Sequence, residues 1–330
     1  MTQTVPDSPS LRSAHLTRIA LIVAATALLA IPAGALFAQN GSAPYTVVET
    51  GQDFARLQDA VDAIGAGMGT IRIAAGRRAD CAVQTAGDVF FTTDAPGQAV
   101  FDGTACEGKA ALVLRGRSAK VAGLVFANIA VGDGNGAGIR LEHGDLAVGQ
   151  SWFRDSQQGI LTADDPAGTI TIDKSTFTRL GTCAFSSGCA HSVYTGDYGA
   201  VTVTRSRFEA GRGGHYFKSR AARVAILASS FDDSAGKATN YMIDLCAGAT
   251  GRIADNWFVQ GRDKENYSAF IAVAAESRSH PSAGLAVDGN VARFAPGIDR
   301  QSVFVADWSG EPLAIGANTL GTGLKRFEKR

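Results

Sequence analysis

The stretch ITIDKSTF (170–177) returns as VTVTRSRF (201–208) and again as VAILASSF (224–231), and the shared pattern runs through most of the chain. Upstream it reads AKVAGLVF (119–126) and LAVGQSWF (146–153); downstream it reads GRIADNWF (251–258), LAVDGNVA (285–292) and LAIGANTL (313–320). The third position is always β-branched: Val121, Val148, Ile172, Val203, Ile226, Ile253, Val287 and Ile315. Flanked mostly by small or polar residues, it predicts a short strand with one buried face in every copy. The sixth position is Leu124 and then Ser151, Ser175, Ser206, Ser229, Asn256, Asn290 and Asn318, small hydrogen-bonding side chains that mark a repeated turn.

Successive copies lie 27, 24, 31, 23, 27, 34 and 28 residues apart, the range of solenoid repeats. Helical solenoids need paired amphipathic helices, whereas the intervening residues here are β-branched runs broken by Gly, Asp, Ser and Asn. A parallel β-solenoid is the expectation, with equivalent side chains stacked in columns roughly 4.8 Å apart. Phe126, Phe153, Phe177, Phe208, Phe231 and Phe258 would form one such internal column. On this repeat the chain resembles the right-handed parallel β-helix proteins of the pectate-lyase-like superfamily, over about residues 45–320. An amphipathic stretch through Phe54, Leu57, Val61 and Ile64, with Asp53 as its N-cap, precedes TIRIAAG and resembles the opening of many of those proteins. The expected fold is therefore all-β, a right-handed parallel β-helix lidded by an N-terminal capping helix.

A solenoid grows in one dimension, so residues 39–330 are expected to form one domain despite their number. The 39 glycines suit its many corners. Formal charge is zero, which gives no global field to gather nucleic acid. Residues 1–38 read as a signal peptide or a membrane anchor: a polar start with Arg12 and Arg18, then an uncharged apolar run from Ile19 to Ala38. Either places the rest outside the cytoplasm, secreted or periplasmic, with membrane contact only if the segment is retained. In an exported chain, Cys183 and Cys189 are expected to pair, Cys81 and Cys106 can bridge one coil, and Cys246 remains as a buried filler.

Three consecutive coils carry chemistry that the others lack. They read HSVYTGD from His191, HYFKSRA from His215 and YMIDLCA from Tyr241. Counted back from the next phrase, His191, His215 and Tyr241 form one column and Tyr194, Lys218 and Asp244 another. Arg220, Arg212 and the Gly213–Gly214 pair stand beside them. Alternation that points Phe217 inward also points His215 inward, so His215 reaches a groove only from a turn ahead of the strand.

This set suits β-elimination on an acidic, uronic-acid polysaccharide, which needs cations for the carboxylate, a base for the C5 proton and an acid for the leaving oxygen. Lys218 is expected as the base, its pKa lowered by Arg220 and charged histidines, with Arg220 as carboxylate binder. Tyr194 or His191 would be the acid and Asp244 would orient Lys218 or His215. Tyr194, Tyr198, Tyr216 and Tyr241 would meet sugar faces, with Arg212 also on the substrate. The resemblance implies lyases that use Lys or Arg in this way, many with calcium, but no acidic cluster or Cys/His spacing for a metal stands out and no cofactor is expected. Asp244 with Asp232, Asp233 or Asp197 would be the carboxylates of a hydrolase, although Asp232–Asp233 reads as a solvated corner. An epimerase would use the lyase groups, and a noncatalytic glycan-binding or envelope β-helix needs none of this chemistry.

Overall fold

The computed structural model describes residues 43–185 and 188–330. The expected targeting segment, 1–38, lies outside the described residues. The rest is a parallel β-solenoid whose coils each place one strand in each of three sheets, called A, B and C here. Sheet A has twelve strands and sheets B and C have ten each. Among the described residues, only the first two strands of sheet A, Tyr45–Val47 and Gln52–Phe54, run antiparallel to their neighbours.

The eight-residue phrase spans sheet A, one corner and sheet B. Its third residues pair in unbroken register from Val121 through Val148, Ile172, Val203, Ile226, Ile253 and Val287 to Ile315. Its fifth residue turns the corner in the left-handed region, as at Lys174 (φ 48°), Arg205 (48°), Ala228 (49°) and Asp255 (58°). The sixth residue then ties one coil to the next. Ser175 N–H donates to Ser206 Oγ (3.2 Å), Ser206 N–H to Ser229 Oγ (3.0 Å), Ser229 N–H to Asn256 Oδ1 (2.9 Å) and Asn256 N–H to Asn290 Oδ1 (3.0 Å). A corner lies between two sheets, so these side chains supply the acceptors that the ladders do not.

The eighth residues stack as predicted. From Phe101 to Phe258 adjacent ring centroids are 4.7–5.6 Å apart and nearly parallel, and all seven rings are buried. Each ring withdrawn from water contributes about 2–3 kcal/mol, so the column is a principal source of cohesion along the axis.

Helix α1, Leu57–Ile64, lids the N-terminal end and buries Leu57, Ala60 and Val61. Asp53 is not its cap. The residue before the helix is Arg56, which provides no side-chain cap; Asp80, brought from the first coil, accepts the Leu57 N–H at 2.9 Å. At the other end the last strand of sheet C, Leu324–Lys329, is an edge. Both expected disulfides are formed, Cys81–Cys106 and Cys183–Cys189, and Cys246 is a buried free thiol. Such bonds persist in an oxidising compartment.

Candidate functional site

Sheet C carries the site. Its register pairs Leu161 with Tyr194, Tyr194 with Lys218, Lys218 with Asp244 and Asp244 with Ala272, which confirms the column of Tyr194, Lys218 and Asp244. His191, His215 and Tyr241 stand just ahead of the three strands Val193–Thr195, Phe217–Ser219 and Ile243–Leu245. Neighbouring rings in that second column are 4.8 Å (His191–His215) and 5.6 Å (His215–Tyr241) apart. His215 reaches the site from a turn, because Gly213 (φ 132°) and Gly214 (φ 60°) bend the chain immediately before it. A Cβ on Gly214 would meet the Ala190 carbonyl oxygen at 2.2 Å, so glycine is required there.

A residue outside both columns completes the cluster. Glu276, on the loop after the strand Ala269–Val273, places one carboxylate oxygen on Lys218 Nζ and the other on Arg220 Nη2. Arg220 Nε also donates to Tyr194 Oη at 2.8 Å, and Lys218 Nζ lies 5.4 Å from the Tyr194 ring centre. Asp244 Oδ2 is 3.7 Å from Lys218 Nζ and 3.4 Å from His215 Nε2.

The electrostatics overturn the role expected for Lys218. Burial alone would lower its pKa, but Asp244 and Glu276 outweigh that and hold it above the ordinary lysine value. Two carboxylates thus keep its proton, and Lys218 is a fixed cation rather than a base. Burial raises Asp244 to about 7 against the pull of Lys218, with Glu276 adding to the rise. Glu276 adds to the same effect through its contact with Lys218. Burial first, and Lys218 second, push His191 down to about 3; burial, His191 and Lys218 push His215 well below the usual histidine range. Both rings are neutral near pH 7.

Their tautomers follow from the hydrogen bonds. His191 Nδ1 accepts the backbone N–H of His215 at 3.0 Å, which assigns the His191 proton to Nε2. His215 Nδ1, 3.2 Å from the same atom, must then be the donor, leaving its Nε2 as an acceptor facing Asp244. A protonated Asp244 satisfies this chain and an ionised one disrupts it. Asp244, His215 and His191 thus follow one another in a row, and His191 lines a cavity of about 450 Å³. Tyr194, Arg140, Gln158 and Leu161 line the same cavity.

Several other expected residues fall elsewhere. Tyr216 and Tyr198 are buried in the core and cannot meet a sugar. The chain is still turning at Tyr216, and its hydroxyl donates to Asp233 at 2.7 Å inside the corner between sheets B and C. Tyr198 fills the space left by Gly168. Arg212 turns to Asp155 at 3.5 Å. Asp233 is no solvated corner but fully buried, and Asp197 contacts His280 at 2.9 Å. Tyr241 remains half-buried beside the site, with Trp308 at 6.5 Å. Asp244, Cys246 and Glu276 bring three ligand-type atoms within 4.8 Å of one another, but Lys218 and Arg220 already hold the carboxylates.

No family model and no curated protein matches the chain. Among solved structures it is similar to ORF18 of Geobacillus virus E2, at 13% identity and a TM-score of 0.45, over 82% of this chain and 56% of that one. The chain thus spans little more than half the length of that protein. Its class rests on its own architecture: an all-β parallel β-solenoid with a charged, titratable cluster on one sheet.

Proposed function

We propose that the protein is an exported carbohydrate-active β-solenoid that cleaves an acidic polysaccharide by β-elimination. The observation that carries the reading is the convergence of Lys218 and Arg220 on a single carboxylate, that of Glu276, beside Tyr194 and the row of Asp244, His215 and His191. A uronate carboxylate held by the same two cations would have its C5 proton acidified, because charge that develops on the carboxylate is neutralised where it forms. Tyr194, acting as a phenolate whose own proton has first passed to solvent, takes that proton; its oxygen accepts from Arg220, and Lys218 stands over its ring. The C5–H electron pair becomes the C4–C5 double bond, the bond from C4 to the glycosidic oxygen breaks, and His191 Nε2 protonates the leaving oxygen. Asp244 resupplies His191 through His215. The two disulfides favour a secreted or periplasmic setting.

The test is incubation of the purified protein with a panel of acidic polysaccharides, followed by ultraviolet absorbance of the conjugated double bond. Unsaturated ends that form with the wild type and vanish in Lys218→Ala are expected. A wild type that yields none from any polymer overturns the reading, and retention of a polymer on an affinity gel would then leave a binding module.

A further inference from the structure

We infer that Glu276 is an internal carboxylate that reserves the seat formed by Lys218 and Arg220 for an anionic sugar and excludes neutral ones. The inference rests on the groove being a saccharide site and concerns which saccharides enter it.

The loop that carries Glu276 folds back over earlier coils. It leaves its strand with Ala274 in the left-handed region (φ 56°), and the N–H groups of Glu276 and Ser277 both donate to the Cys246 carbonyl at 3.0 Å. His280 N–H donates to the Ala247 carbonyl at 2.9 Å, and His280 Nε2 meets Asp197 Oδ1 at 2.9 Å. The loop is therefore a strap fastened to the sixth and fourth coils of the repeat. Glu276 sits at the first of these fastenings through its own N–H, so its backbone is held without help from its side chain.

The partners of the Glu276 carboxylate are unequal. Its side chain is 40% exposed, while that of Lys218 is 10% exposed and that of Arg220 33%. Rotated away, Glu276 finds water. Lys218, by contrast, cannot be rehydrated where it stands and needs another carboxylate in place of the one removed. A uronate supplies one, so exchange is nearly balanced and the seat remains neutralised. A neutral sugar supplies none, and its entry would leave the buried Lys218 only the more distant carboxyl of Asp244, at 3.7 Å. The resident carboxylate thus weakens binding of acids by competition and blocks neutral sugars by the vacancy they would create.

The experiment titrates galacturonate, and galactose as its neutral counterpart, into full-length protein labelled with carbon-13 at lysine, following the Lys218 resonance. In Glu276→Gln, galacturonate is expected to bind about tenfold more tightly than in wild type, with its backbone fastenings kept. Galactose is expected to leave the resonance unmoved in wild type and to shift it in Glu276→Gln, where no resident carboxylate remains to be displaced. His280→Ala, which frees the far end of the strap, should give a smaller gain of the same sign. Unchanged or weaker galacturonate binding in Glu276→Gln overturns the inference, as does galactose binding at the wild-type seat. These outcomes are separable from the lyase assay. Unsaturated ends without a gain in Glu276→Gln refute only the reserved seat, and a gain without unsaturated ends refutes only the elimination.

Discussion

Asp233 and Lys264 form an ion pair 3.2 Å long whose two side chains are wholly screened from solvent. Asp233 also accepts from Tyr216 Oη and Thr239 Oγ1, each at 2.7 Å, and from the Gly261 N–H at 2.9 Å. Lys264 donates in addition to the Asn240 carbonyl. Every polar atom of the pair is met, and the pair fixes the loops that lead into the site strands.

Removing one partner therefore strands the other. Lys264→Met is expected to lower stability by about 3–5 kcal/mol, and Lys264→Met with Asp233→Asn by clearly less than the sum of the single changes. Chemical denaturation of the three variants measures both. Equal, additive losses would mean that the pair is not coupled.

The raised pKa of Asp244 sets a pH dependence. Its carboxyl titrates at about 7 in the folded chain, against an ordinary value of 3.8. Between those values the folded state holds a proton that the unfolded state has released. The contribution is fully present below about pH 4 and is lost as pH rises through 7, on the order of 2–4 kcal/mol. Glu276 works in the opposite sense: burial opposes its ionisation, but Lys218 and Arg220 win and lower its pKa, so its share is lost on acidification. Asp244→Asn should flatten the fall in stability between pH 5 and 8 relative to wild type. Parallel pH profiles would refute the assignment.

The corner ladder is open to a direct test at Asn290. Its side-chain amide donates to the carbonyls of Ile253 and Asp288 at 2.9 Å, and its Oδ1 accepts from Asn256 N–H at 3.0 Å. Asn290→Ala removes these side-chain bonds from a buried corner and leaves the Asn256 N–H without its acceptor, and should cost about 2–4 kcal/mol. Asn290→Ser, which restores the pattern of the earlier coils, should cost less. Thermal melts rank the two.

Catalytic variants separate binding from proton transfer. Tyr194→Phe is expected to reduce kcat by about 10²–10⁴-fold with little change in KM, whereas Arg220→Lys should raise KM and lower kcat together. Rates of formation of unsaturated ends distinguish these patterns.

The fold was legible because one phrase fixes three things at once: an inward strand residue, a left-handed corner and a stacking ring. The columns of Tyr194, Lys218 and Asp244 and of the two histidines followed from counting along that phrase, since register in a solenoid is inherited from coil to coil. Glu276 was not legible. It lies 58 residues from Lys218, on a loop with no counterpart in the other coils, and only the fold-back of that loop brings it to the site. The expected lowering of the Lys218 pKa counted Arg220 and the histidines; Asp244 stood in its column but was not weighed against them, and Glu276 was out of view. Tyr216 was misplaced since alternation does not apply until the Gly213–Gly214 turn has been completed. Asp233 looked like a corner residue by type, and its partner Lys264 has no pattern to announce it.

The final strand of sheet C, Leu324–Lys329, carries Lys325, Arg326 and Lys329 within six residues. Among the described residues it is an edge of sheet C, and an edge strand offers its outer backbone groups to any strand of matching register. Three cations against one carboxylate, Glu328, which pairs with Lys325 at 3.0 Å, leave the edge net positive and penalise a like-charged strand that docks there. A repeat whose register would accept any matching strand thus discriminates among them at this edge by charge.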